Sequence, residues 1–192
     1  SGNTQGVLYT RLSHRHSSLT DFALSSFDFA SRHYRADFAD GVLRPQVDGA
    51  LCGSFHQVTD TGELERMAPL LEALPALAQV VDAARAAALL GVPQAGAGYW
   101  FPNSGWMSPP AICRQLLRHP LITLRENCGP VQLQRAGDAW QATSGGQLLA
   151  RAPVAVVAAG IHCRELGPLD WLPLKAIRGQ TTQLPPLPDL AG

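Results

Sequence analysis

Between residues 121 and 151, four short runs, 121–126, 131–135, 139–143 and 147–151, are separated by turn residues. Gly137-Asp138 and Ser144-Gly145-Gly146 carry the hairpin-turn chemistry that reverses a chain within a few residues. Strands joined this closely must pair antiparallel, because a parallel crossover needs a dozen or more residues. The stretch therefore predicts a β-meander. The first third of the chain follows a different period. Leu19, Phe22, Ala23, Ser26, Phe27, Ala30 and Tyr34 recur at helical spacing, the stripe of an amphipathic helix of about 17 residues. Ser18 or Thr20 can cap it, with Asp21 in its first turn. Helices first and a meander later define an α+β chain, with a mixed, largely antiparallel sheet and flanking helices.

The region between is read from local signals. Residues 50–58 predict a short strand with Leu51 and Phe55 on one face and Ser54 and His56 on the other. A short helix is expected over 59–68, ending before Pro69. Asp82 can cap a helix over 83–90 that stops at Gly91. An aromatic strand over 98–101 leads into a Pro-Asn-Ser-Gly turn. Ser108, with Pro109 and Pro110 behind it, opens a helix to about Arg118. The continuous apolar run 154–159, ending at Gly160, reads as a strand buried on both faces. Two further short strands are expected over 174–177 and 180–184.

Composition excludes several classes. Hydrophobic residues are 46% of the chain and charged residues 16%, which excludes disorder. Lys+Arg and Asp+Glu are both 15, so no global basic field attracts nucleic acid, although Arg11, Arg15, Arg32 and Arg35 could form a local patch. Cys52, Cys113, Cys128 and Cys163 show no CxxC spacing and read as reduced, mostly buried thiols of a cytoplasmic protein. No apolar run reaches the roughly 18 residues of a membrane span. No metal site is expected: His162, Cys163 and Glu165 are sequence neighbours that do not converge, and His119 reads as a helix-end residue. The first residue is Ser1, without Met or a signal pattern, so the chain reads as a piece of something longer.

Several segments carry two readings each. The fingerprint G-x-G-x-x-G is absent, since Gly96-x-Gly98 is followed by Phe101 where the third glycine would stand. The small residues Ala158, Ala159 and Gly160 either admit a flat ligand or simply end a well-packed strand. Ser1, Gly2, Asn3 and Gly6 form a polar loop that can aim backbone N–H groups at an anion, or a frayed terminus. Trp106 either lines a pocket or wedges under a loop. Arg178, beside Gly179, either reaches a carboxylate bidentately or makes a surface ion pair. No Ser/His/Asp arrangement or phosphate loop is present, and the catalytic residues are unassigned.

Taken in order, Gly98 to Phe101, Gly105-Trp106-x-x-Pro109, the meander, VAVVAAGIHCRELG and LPLKAIRGQ resemble the substrate-side portion of the D-amino-acid-oxidase-like FAD-dependent oxidoreductases. The opening SGNTQGVLYTRLS resembles, more closely, the oxidoreductase half of bifunctional bacterial enzymes that modify the tRNA wobble uridine. The resemblance implies FAD as cofactor. Ser1, Gly2, Asn3 and Gly6 would lie along the FAD-binding loop, Ala158, Ala159 and Gly160 beside the cofactor, and Gly179 near the flavin ring. Arg178 and Trp106 would face the substrate. The reaction implied removes the carboxymethyl group of a carboxymethylaminomethyl uridine. A hydride leaves the N-attached carbon for FAD, the imine hydrolyses, and a two-carbon oxo acid departs, leaving the aminomethyl uridine. An S-adenosylmethionine-dependent methyltransferase domain would stand in the same parent chain, and tRNA would be the partner.

The resemblance also implies an organisation: 1–17 as an FAD-domain loop segment, 18–152 as the substrate-binding domain, and 153–192 as a strand returning to the FAD domain plus the start of further substrate-side strands. The missing glycine fingerprint predicts that this stretch alone does not hold FAD tightly and is inactive in isolation. Two alternatives stay open: a small-molecule amine or amino-acid oxidase of the same superfamily, and a cofactor-free binding domain.

Overall fold

The computed structural model describes residues 3–13 and 16–177, which fall into two compact units meeting in sequence between Ile122 and Thr123. The α+β reading holds: helices accompany three small sheets, and every pairing between their strands is antiparallel.

The first unit opens with β1 (Gly6–Leu8) and α1 (Ser18–Ala39). The helix is longer than its apolar stripe predicts and its cap lies one residue earlier. Ser17 is the cap, its hydroxyl accepting from the Thr20 N–H at 3.1 Å. Phe27 and Ser31 form the buried centre of the helix face, and the Ser31 hydroxyl donates to the Phe27 carbonyl at 2.7 Å. The strand expected over 50–58 is two strands, β2 (Gly49–Ala50) and β3 (Ser54–Gln57), which join different sheets.

Next comes α2 (Thr61–Glu72), capped by Asp60 and carrying Pro69 inside it rather than beyond it. Pro69 cannot donate to the Glu65 carbonyl. The last turn nevertheless persists, because it carries Leu71 into the core beside Leu64 and Met67 at helical spacing. β4 (Gln79–Val81) precedes α3 (Ala83–Leu90), which forms as expected, with the Asp82 carboxylate accepting from the Arg85 N–H at 2.7 Å and the helix stopping at Gly91.

β5 (Gly98–Phe101) is the centre of the sheet β3-β5-β4, and its Tyr99 and Phe101 complete the core with α2. The turn after it is pinned by Ser104, whose fully buried hydroxyl donates to the Phe101 carbonyl at 2.8 Å and lies 2.7 Å from that of Ser54. Gly105 and Trp106, expected at a turn, belong to strand β6 (Gly105–Met107), the centre of the sheet β1-β6-β2. Gly105 makes this possible: a Cβ there would stand 1.9 Å from the Ala50 carbonyl oxygen. Helix α4 (Pro109–Leu116) closes the unit. Ser108 occupies its cap position but makes no side-chain cap bond.

The second unit is the meander, of three strands rather than four: β7 (Gln132–Ala136), β8 (Ala139–Ser144) and β9 (Gln147–Ala152). Residues 121–126 form no strand. The run 154–159 is also corrected. It forms no strand, and Val156 is 88% exposed. A strand buried on both faces needs partner strands at its edges, and no described strand pairs with it. It runs instead along the apolar side of the meander, near Leu133 and Trp140. Short 3-10 turns follow over Gly160–Glu165 and Gly167–Leu169. Residues 174–177 are irregular, and the strand expected over 180–184 lies outside the described residues. Of the four thiols, all free, Cys163 is buried, Cys128 half-buried, and Cys52 and Cys113 exposed.

Candidate functional site

Two of the residues singled out in the sequence meet in the first unit. Gly6 pairs with Met107 and Val7 with Trp106, so the opening segment and the half-buried Trp106 share one sheet. Trp106 is neither at a turn nor wedged under a loop; it is a central strand residue flanked by Val7 and Ala50. Asn3 is exposed. Ser1, Gly2, Arg178 and Gly179 lie outside the described residues.

Just past β1, the chain builds a polar pocket of about 300 Å³ that includes Arg11, His56, Asp60, Glu63, Tyr99 and Phe101. Antiparallel pairing places it. His56 stands opposite Tyr99 in register, so both project from one face of the sheet toward α2. His56 is therefore on the face of the sheet that packs toward α2. Its ring lies 4.9 Å from those of both Tyr9 and Phe101. Burial, reinforced by the Arg11 charge, lowers its pKa and keeps the imidazole neutral at physiological pH. The Tyr99 hydroxyl donates to Glu63 at 3.2 Å. Burial, then the Glu63 charge, pushes the Tyr99 pKa up to about 12, so the phenol keeps its proton. Arg11 makes no ion pair among the described residues. The pocket thus sets a guanidinium and a neutral imidazole beside the Asp60 and Glu63 carboxylates. Nothing in the sequence tied these residues together, because Arg11, His56, Glu63 and Tyr99 meet only through the strand register.

Beside β1 runs a second groove of about 800 Å³, between residues 8–13 and the first half of α1. Thr10 lines it. Its hydroxyl is buried and has no hydrogen-bond partner among the described residues. Such an orphaned group is costly unless something else satisfies it.

In the second unit, Ala158 and Ala159 line an apolar groove of about 710 Å³, together with Trp140, Val154, His162 and Glu165. Gly160 follows in left-handed backbone (φ +57) with open space where a Cβ would stand, so conformation rather than crowding selects glycine there. The His162 ring meets Glu165 at 2.6 Å on the surface, while Cys163 turns inward, so the three do not converge. Among the described residues no group of three His, Cys, Asp or Glu is arranged to hold a metal ion. No described helix is long and apolar enough to cross a membrane.

The orphaned Thr10 hydroxyl leaves a polar contact open at the groove beside β1, and in the other unit Ala158 and Ala159 line an apolar groove. Comparison with known proteins gives the class. The family model described as DAO, FAD dependent oxidoreductase, matches residues 1–192. The chain belongs to this family of FAD-dependent oxidoreductases. It is 40% identical over 186 residues to the "tRNA 5-methylaminomethyl-2-thiouridine biosynthesis bifunctional protein MnmC" of Pseudomonas putida, covering 96% of this chain and 28% of that protein. The MnmC proteins of Pseudomonas aeruginosa and Stutzerimonas stutzeri are 40% and 38% identical, over 98% and 96% of this chain and 28% and 27% of their own length. The chain therefore spans less than a third of the length of these relatives.

Proposed function

We propose that this chain is part of a cytoplasmic enzyme that removes the carboxymethyl group from 5-carboxymethylaminomethyl-(2-thio)uridine at the tRNA wobble position, yielding the 5-aminomethyl nucleoside. The observation that carries the reading is the identity of about 40% along nearly the whole chain to proteins named for making the next compound in that series, 5-methylaminomethyl-2-thiouridine. FAD, when bound, supplies the two-electron acceptor that amine oxidation requires. The partners are tRNA and a methyltransferase domain of the parent chain that uses S-adenosylmethionine.

The chain's own residues orient and bind. Ser1, Gly2, Asn3 and Gly6 border the cofactor from the start of the first unit. Ala158 and Ala159 present small side chains to it, Gly160 lets the backbone come beside it, and Gly179 lets the backbone approach the ring. Trp106 offers an aromatic surface to the uracil arm, and Arg178 a bidentate guanidinium to the leaving carboxymethyl group. Arg11 is a second cation for an anionic group. Neutral His56, in the same pocket, can hold a proton released as the amine is oxidised. Segment 1–17 serves the cofactor, 18–152 the substrate, and 153–192 returns to the cofactor domain before starting further substrate-side structure that includes Arg178.

The test uses the full-length protein carrying this chain, loaded with FAD under anaerobic conditions. Addition of tRNA bearing the carboxymethylaminomethyl group bleaches the flavin absorbance, whereas glycine and sarcosine do not. Bleaching by the small amines instead identifies an amino-acid oxidase. A colourless full-length protein identifies a cofactor-free binding domain. Arg178→Ala raises the KM for the modified tRNA; unchanged kinetics remove Arg178 from the site.

A further inference from the structure

The described early arginines point in different directions. Arg32 is paired with Asp28 at 2.6 Å, Arg35 bonds Asn103, and Arg11 faces the His56 pocket, while Arg15 lies outside the described residues. Unneutralised positive charge gathers elsewhere. A cleft of about 280 Å³ opens between the loop after α1 and one side of α4, and Arg44, Asp48, Arg114 and Arg118 line it.

The cleft is built rather than incidental. Arg44 clamps Asp48 bidentately, Nε donating at 2.9 Å and Nη2 at 2.8 Å, and its backbone N–H adds a third bond at 2.9 Å. The Asp48 carbonyl accepts from the Ser108 N–H at 2.8 Å, which ties this loop to the start of α4. The Asp48 carboxyl, held far below the ordinary carboxylate range by Arg44, is fully ionised. Arg114 and Arg118 stand one turn apart, both exposed, and neither guanidinium has an ion pair or hydrogen bond among the described residues. Three guanidiniums thus face one carboxylate. Asp40, at the C-terminal cap of α1, is the nearest further acid along the chain and still leaves positive charge in excess. Unpaired guanidiniums on one concave surface match the group that accepts several charge-assisted hydrogen bonds at once, a phosphate.

We propose that this cleft binds a backbone phosphate of the RNA substrate, positioning the nucleic acid without reading its sequence. The proposal rests on the tRNA reading above.

The test uses the full-length FAD-loaded protein and the modified tRNA, with Kd measured by filter binding between 50 and 200 mM salt, a range over which phosphate contacts are strongly weakened. Arg114→Glu/Arg118→Glu weakens binding about tenfold at the low-salt end and lowers the slope of log Kd against log salt by about 1, the signature of one lost phosphate contact. Arg114→Lys/Arg118→Lys keeps the charge and therefore retains the salt slope, while losing part of the affinity because an ammonium cannot reproduce the guanidinium fork. If the Glu variant loses its flavin, Arg114→Gln/Arg118→Gln carries the same measurement. Unchanged affinity and slope in the charge-altered variant overturn the proposal. If the wild-type flavin is still bleached by the modified tRNA in that case, the functional reading stands without this cleft. If the wild-type flavin is not bleached, the functional reading fails and the cleft's assignment with it. Competition by inorganic phosphate at matched ionic strength, as effective as unlabelled tRNA, marks a free-anion site and also overturns the assignment.

Discussion

Replacing Gly105 by alanine tests the closest backbone approach in the first unit. The new Cβ would stand 1.9 Å from the Ala50 carbonyl oxygen, against the 3.0 Å that real Cβ contacts essentially never undercut. Relief requires β6 to move from β2 by about 1 Å, more than a packed interior absorbs without loss. That movement breaks the ladder in which Gly49 faces Met107 and Ala50 faces Trp106. Overpacking of this kind costs about 1–3 kcal/mol, and each ladder bond weakened adds about 0.5–1.5 kcal/mol. The expected destabilisation is therefore about 3 kcal/mol, or about 6–12 °C in melting temperature for a chain of this size. The control is Gly41→Ala, a left-handed glycine (φ +69) with open space around it, where only backbone strain of about 1–2 kcal/mol is at stake. Urea unfolding followed by tryptophan fluorescence reads both, since Trp100 and Trp106 lie in this unit. A Gly105→Ala loss no larger than that of Gly41→Ala would show that the sheet yields freely and would refute the argument.

Three other expectations follow from the same geometry. Phe101→Ala removes a side chain that is 1% exposed at the centre of the core and should cost about 3–5 kcal/mol, measured by the same unfolding assay. Asp48 has a depressed folded pKa, so the contribution of its pair with Arg44 is complete above the unfolded carboxylate value of about 3.9 and is lost as pH falls below it. Asp48→Asn should lose stability at neutral pH and show a flatter decline on acidification; parallel acid-unfolding curves would contradict this. His56 should titrate by NMR below the usual histidine value of about 6.5, with its share of the stability falling as pH drops from that value through the folded pKa, because the unfolded chain then binds the proton more readily. A His56 midpoint at or above 6.5 would contradict the burial of its ring.

The sequence by itself determined what is local. The Asp82-to-Gly91 helix, the aromatic strand over 98–101 and the hairpin turns of the meander are each specified by caps, alternation or turn residues within a few positions and formed where expected, while the stripe of α1 marked a helix that runs on to Ala39. Tertiary structure decided the rest. Pro69 stays inside its helix because distant core partners reward Leu71. The apolar run 154–159 is no strand because a ladder needs edges that its own residues cannot supply. His56 joins Arg11, Glu63 and Tyr99 only through strand register, and Arg44 meets Arg114 and Arg118 only because the Asp48 loop is tied to the start of α4. Propensity acts along the chain, whereas pairing and charge convergence act across it, and the second kind of information has no local signature to read.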